Sequence, residues 1–481
     1  MDKKRNLAQE DMTTLVKETT LKDRMMSLFD EKQTLIARYD TPYIAKCRQE
    51  AFAHFKMLGF PHVKLEKWRG TDLTHALNLD YAQYLEPFQH DIDVENLFKC
   101  EVPNFETFLV TQLNGWYTYR TYALRTLPNG IIIGSLAKAF EQYPEIVNKH
   151  YSHYADDSSD GLVALNTAFA QDGIFIYVPD NVVVSDTIQM VNIIDYDQNL
   201  FVQARNLIVI GKNSKLTLVQ CDDSIDHRVS FINSVTEVSI GENASLDHYK
   251  LQNKDEQSTL VNTIFFDQME GSQLSSNAIS LNGGIIRNDT RVRFDGPNCQ
   301  ANIYGLYLMD KDQHIDNQVF VDHAKPHCES SELFKGILDD HASGVFNGHV
   351  LVRKDAQKTN AYQNNKNILL SDKAVIDSKP FLEIYADDVK CSHGATVGQL
   401  DAEAMFYIRS RGISESNAKM LLMYAFAAEV VNKITIPELR QRIDDMVKKR
   451  LRGELSACDQ CVLHCSSQEK KVKFKIDMSK I

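Results

Sequence analysis

One motif recurs at a fixed pitch. Ile210-Gly-Lys-Asn213-Ser-Lys-Leu216 is matched 30 residues later by Ile240-Gly-Glu-Asn243-Ala-Ser-Leu246, and a weaker copy starts a further 30 on, at Glu270-Gly271-Ser272. A period of this size marks a solenoid, in which each coil buries its inward side chains only against its neighbours. Each corner then needs a residue that tolerates positive φ, which suits Asn and Gly. From about Gly161 to Tyr407 the chain is rich in short β-branched runs such as IFIYVP, NLIVIG and VNTIFF, separated by Gly, Asn and Asp. An antiparallel sandwich would show turn signals every ~8 to 12 residues and recurrent Asn-Gly hairpins. Only Asn114-Gly115, Asn129-Gly130, Asn282-Gly283 and Asn347-Gly348 occur, and just the last two fall in that stretch. The expected fold is mostly β with α: a parallel β-helix flanked by N-terminal and C-terminal helical regions.

The flanks change period. Ala45, Ala51, Phe52, Phe55 and Leu58 recur at helical steps, Pro42 suits a first turn and Gly59 a stop. After Gly412, Ser414 is an N-cap candidate before AKMLLMYAFAAEVV. Pro437 opens a second helix whose Leu439, Ile443, Met446, Val447 and Leu451 form one stripe. Two such helices cannot make a core alone, so they dock on the chain's own body or on a partner. The basic residues Arg440, Arg442, Lys448, Lys449 and Arg450 read as a solvated face. The 481 residues thus divide into a helical and mixed region (1–160), a β-helix core (161–408), a C-terminal helical region (409–457) and a tail (458–481).

Composition excludes several classes. Net charge is −12, which disfavours nucleic acid as a main partner. Met420 to Val431, the longest apolar stretch, is too short to span a bilayer. The opening MDKKRNLAQEDMTTL has no apolar core of a secretory signal, and nine sparse cysteines fit reducing cytosol. The sequence carries no phosphate-binding loop, dinucleotide fingerprint, G-x-S-x-G elbow, HExxH or paired CxxC motif. Any chemistry is scattered or shared.

The densest run of chemically capable residues is Asp387-Asp388-Val389-Lys390-Cys391-Ser392-His393-Gly394-Ala395-Thr396-Val397-Gly398. In an extended segment Cys391 and His393 share one face, about 6.6 Å apart along the strand. A thiolate and an imidazole are both metal ligands, but two donors do not complete a tetrahedral zinc site or hold a cluster. Either a second chain supplies the rest, or the pair is a structural thiol beside a hydrogen-bonded histidine.

The stretch from Phe346 to Ser414, FNGHVLVRKDAQKTNAYQNNKNILLSDKAVIDSKPFLEIYADDVKCSHGATVGQLDAEAMFYIRSRGIS, followed by AFAAEVV, closely resembles the SufD branch of the SufB/SufD family of the SUF iron–sulfur cluster assembly system. Weaker likeness continues upstream through Gly59-Phe-Pro61 and Glu66-Lys-Trp68-Arg-Gly-Thr71-Asp-Leu73. The resemblance implies a non-ATPase scaffold rather than an enzyme, pairing with a SufB-like paralogue at the end of the β-helix. It also implies that a SufC-like ABC ATPase binds the helices that follow, with Leu421, Leu422, Phe426, Leu439, Ile443 and Val447 as the docking face. His393 is then an iron or cluster ligand at the SufB interface, and Cys391 a less secure second. The cofactor is a transient iron–sulfur cluster or iron shared with SufB, none being held tightly by this chain alone. A homodimer in isolation stays open, and a cytoplasmic location is expected.

Cys458, Cys461, His464 and Cys465 have ligand-like spacing that the resemblance does not cover, and a flexible tail with incidental thiols is the competing reading. Cys47, Cys100, Cys221, Cys299 and Cys328 read as buried small side chains, and His314, His323, His327 and His341 as ordinary strand or turn residues. The rival functions are a β-helix carbohydrate-active enzyme, which needs paired carboxylates on an exposed face, and a purely structural solenoid.

Overall fold

A computed structural model describes residues 20–86, 107–118, 122–224 and 228–455. Successive strands alternate between two sheets, and each strand pairs in parallel with the strand one coil away. The first sheet, of eleven strands, runs from Gly173–Val178 through Leu200–Ile210, Ser230–Ile240, Thr259–Gln268, Ile285–Phe294, His314–His323 and Ser343–Val352 to Val375–Ile384. The second, of ten, runs from Thr107–Leu113 and Thr187–Ile194 through Lys215–Ser224, Ser245–Asn253, Gln273–Asn282, Gln300–Met309, Glu329–Leu338 and Asn360–Leu369 to Lys390–Gly398. This is a parallel β-helix.

The repeat sits where its turn residues are needed. Leu216 pairs with Leu246, and Leu246 with Leu274. Just before these strands, Asn213, Asn243 and Gly271 have φ of 53°, 54° and 68°, and Asn298, His327 and Lys358 continue the column with φ of 61°, 60° and 63°. Asn213 Nδ2 donates to Asn181 Oδ1 at 2.9 Å, so the corner is stitched between coils as well as bent. Inside, Leu216, Leu246, Leu274, Ile208, Val238 and Phe266 stack in one continuous core. Each adds about 1.5–3 kcal/mol of burial.

Helices cover the outer face of each sheet. Leu21–Ile36, Pro42–Leu58 and Gly161–Phe169 pack with Phe201, Phe231 and Val261 of the first sheet. Thr20 and Thr41 cap the first two, Pro42 stands in the first turn of the second, and Gly59 ends it at φ 66°. The segment Glu66–Thr71 straps this module to the solenoid. Trp68 lies over the buried Arg287 guanidinium at 3.8 Å, Arg287 pairs with Asp316, and Thr71 Oγ1 donates to Asp316 at 2.6 Å. Gly70 passes so close that a Cβ there would lie 2.5 Å from Val345. A second buried pair, Arg205 with Glu237, lies under the Tyr151 ring, and Glu237 also accepts from the backbone N–H groups of Ser152, Tyr154 and Ala155. With each charge matched by several donors or acceptors, these groups are held without a lone buried ion.

Two boundaries differ from the sequence reading. Gly161 opens a helix rather than the β region, because Asp160 accepts from the Leu162 and Val163 N–H groups. The C-terminal helices begin at Ala402, not 409, because Asp401 caps Ala402–Ser410. Ser414 and Pro437 start Glu415–Val431 and Pro437–Leu451 as expected. Arg450 is not on a solvated face: it pairs with Asp310 at 2.6 Å and donates to the Leu281 carbonyl.

Candidate functional site at the open end of the solenoid

The last coil consists of Val375–Ile384 and Lys390–Gly398, each paired on one side only among the described residues. Register fixes which side chains face inward. Ala361, Gln363, Asn365 and Asn367 line the interior of the preceding coil, and their partners are Cys391, His393, Ala395 and Val397. Cys391 and His393 therefore share the inner face.

His393 is exposed, and its Nδ1 lies 2.8 Å from the Pro380 carbonyl oxygen on the facing strand. A carbonyl only accepts, so Nδ1 carries the proton and Nε2 is the ring nitrogen left to bind a metal. A carbonyl partner on one nitrogen that frees the other for a metal is the usual arrangement behind a histidine ligand. Cys391 is half-buried against the core, and burial pushes its thiol pKa up, which holds it as a thiol. Among the described residues no group of three or more His, Cys, Asp or Glu is arranged to hold a metal.

Behind His393 the interior turns polar. Gln363 donates to the buried Glu332 carboxyl at 2.7 Å, and Tyr307, Asn365, Asn367 and Ser378 form a hydrogen-bonded cluster. The chain makes room for these groups with glycine. A Cβ at Gly348 would lie 2.2 Å from the Gln363 amide, and one at Gly336 2.1 Å from the Tyr307 ring. The sequence reading missed Glu332 and Gln363, although both fall on the inward parity of their strands between Ser330 and Phe334 or Ala361 and Asn365.

The other candidates are placed differently. Leu439, Ile443 and Val447 are fully buried against the outer face of the second sheet, packing with Leu251, Ile279 and Leu308. Phe426 packs on the same cluster, Leu422 is half-buried and Leu421 is 44% exposed. Most of that predicted face is thus spent on the chain's own body. The exposed apolar surface is on Ala402–Ser410, none of whose residues is buried and where Phe406 is 76% exposed. A groove of about 970 Å³ beside it is lined by Leu369, Leu400, Met405, Phe406, Arg409 and Met423. Cys47, Cys221, Cys299 and Cys328 are buried. His323 hydrogen-bonds Ser330 inside the solenoid, His314 contacts Thr71 and Ser343, His327 is a corner residue and His341 is exposed. Cys100 and the tail residues Cys458, Cys461, His464 and Cys465 lie outside the described residues.

These features define a parallel β-solenoid protein whose terminal coil is unpaired and lined by polar groups. Residues 192–426 match the SUF system FeS cluster assembly SufBD core domain, and residues 19–190 the SufBD protein N-terminal region. The chain belongs to the SufBD family of iron–sulfur cluster assembly proteins. A SufBD family protein of Synechocystis is 29% identical over 91% of this chain and 98% of its own length. The iron–sulfur cluster assembly protein SufD of Bacillus subtilis is 25% identical over 91% and 100%, and that of Escherichia coli 34% over 52% and 59%. No described helix is long and apolar enough to cross a membrane.

Proposed function

We propose that this chain is the SufD-type, non-ATPase scaffold subunit of a cytoplasmic SUF complex. It pairs through the open solenoid end with a SufB-like paralogue and binds a SufC-like ATPase through its C-terminal helices. The observation that carries the reading is the free last coil. Its two strand edges offer unpaired backbone groups, and Val375, Ile384, Tyr385 and Val397 are exposed around them. Such an edge is a template for strand addition by another chain. A paralogue with the same coil geometry would continue both sheets.

Docking of the ATPase falls on Ala402–Ser410 and Leu421, because the inner faces of the two longer helices are already covered. ATP-driven dimerisation of two such ATPases would pull on these helices and on their paralogue counterparts, opening the interface. Incoming iron is substrate there. His393 offers it Nε2 while thiolates of the paralogue carry sulfur, and one imidazole among them makes a releasable ligand. Cys391, a protonated thiol on the inner face, is the second candidate. Capture with a tagged chain tests the assembly: the paralogue and the ATPase should co-purify, and His393→Ala should retain both. If neither binds, the scaffold reading fails.

A further inference from the structure

Ile303, Glu332, Gln363 and His393 are successive register partners on the inner face of the second sheet, one per coil, ending at the open mouth. Glu332 is 2% exposed, its Oε2 accepts from Gln363, and its Oε1 and the Gln363 Oε1 have no hydrogen-bond partner among the described residues. No ion pair joins Glu332 among the described residues. Gly348 leaves the room the Gln363 amide occupies. A carboxyl built into an interior with one neutral partner and one idle oxygen is a costly feature for a core that could hold leucine.

We propose that Glu332 is the buried countercharge of the open end: it is a neutral carboxylic acid in the iron-free chain and releases its proton to solvent when a divalent cation is bound at His393. This rests on the reading of His393 given above. Two coils place the carboxyl about 10 Å behind the histidine. At that distance, with an effective dielectric of about 20, a double positive charge lowers the carboxyl's titration point by about two pH units. Burial, partly offset by the Gln363 hydrogen bond, pushes that point up to about 8, so the cation carries it through neutrality. The other titratable groups facing this part of the interior are Tyr307, His323, Cys391 and His393. Tyr307 and Cys391 are held neutral by burial, and His323, pushed down to about 3, is neutral too. In the iron-free chain none of these carries a negative charge. No bond other than the carboxyl O–H breaks, and no electron moves.

Infrared difference spectroscopy with ferrous ion under anaerobic conditions tests this on the full chain, alone and paired with its paralogue. The iron-free wild type should show a protonated-carboxyl band that Glu332→Gln lacks. Iron should abolish the band and release one more proton at pH 7 from the wild type than from Glu332→Gln. A band that persists with iron bound, or equal proton counts, overturns the proposal while leaving His393 as the ligand. Iron binding unchanged in His393→Ala instead overturns the functional reading, and the coupling with it.

Discussion

The two ends of the solenoid are built on opposite rules. At the N-terminal end, Gly173–Val178 is closed off by the antiparallel strands Ile132–Ser135 and Leu124–Thr126, and Thr107–Leu113 by Trp116–Thr118. The interior there is Ile131, Ile133, Ile174, Ile176, Ile188 and Met190, all at most 1% exposed. At the C-terminal end neither edge strand has a second partner among the described residues, none of whose atoms beyond the chain neighbours lies within 4 Å of where a Cβ would stand on Gly394 or Gly398, and the interior holds His393, Gln363 and Glu332. A parallel coil left unpaired is an aggregation hazard unless it has a specific partner. One end is capped by strands over an aliphatic interior, and the other leaves its polar interior uncovered by any described strand.

The sharpest break of this contrast is a pair of truncations. Ile176→Ala at the closed end should cost about 2–5 kcal/mol in urea unfolding, whereas Val397→Ala at the open end should change stability by less than about 0.5 kcal/mol. Equal losses would mean the open end is part of the folding core. Of comparable total size is a pH effect of one group behind the open end. The Glu332 carboxyl has a folded-state value of about 8 against an ordinary 4.5, so between these values the folded state holds a proton the unfolded state has lost. Stability should therefore fall as pH rises from about 4.5 to about 8, by about 1.4 kcal/mol per unit, and stay level outside that window as far as this group is concerned. Glu332→Gln should remove this group's share of the fall measured by thermal unfolding, leaving that of Asp267, which burial pushes up to about 6. A smaller effect lies between the two ends: Asn243→Ala, at φ 54°, should cost about 1–2 kcal/mol in the same assay. The least effect on stability, within about 0.5 kcal/mol, is expected for Val397→Asp, which should nonetheless abolish capture of the paralogue.

The fold was legible in the sequence where local rules dictate it. Asn213 and Asn243 announce positive-φ corners because few other side chains tolerate them, whereas His327 and Lys358 occupy the same column with no such signature. Period two placed Cys391 and His393 on one face without any tertiary knowledge. It could not place the Pro380 carbonyl, which reaches His393 only once the two sheets face each other. Phe406-Tyr407-Ile408 has strand-like composition, and the Asp401 cap overrides it. The stripe Leu439, Ile443 and Val447 was visible as apolar, but a stripe does not say what covers it, and here the covering surface is the second sheet.

The central claim is that the open end is a shared ligand site in which this chain supplies His393. Cluster yield reconstituted on the purified complex of His393→Ala with the paralogue and the ATPase tests it most directly. The account predicts an intact complex, unchanged ATP hydrolysis and loss of the cluster's visible absorbance. A normal cluster yield in that variant would contradict it.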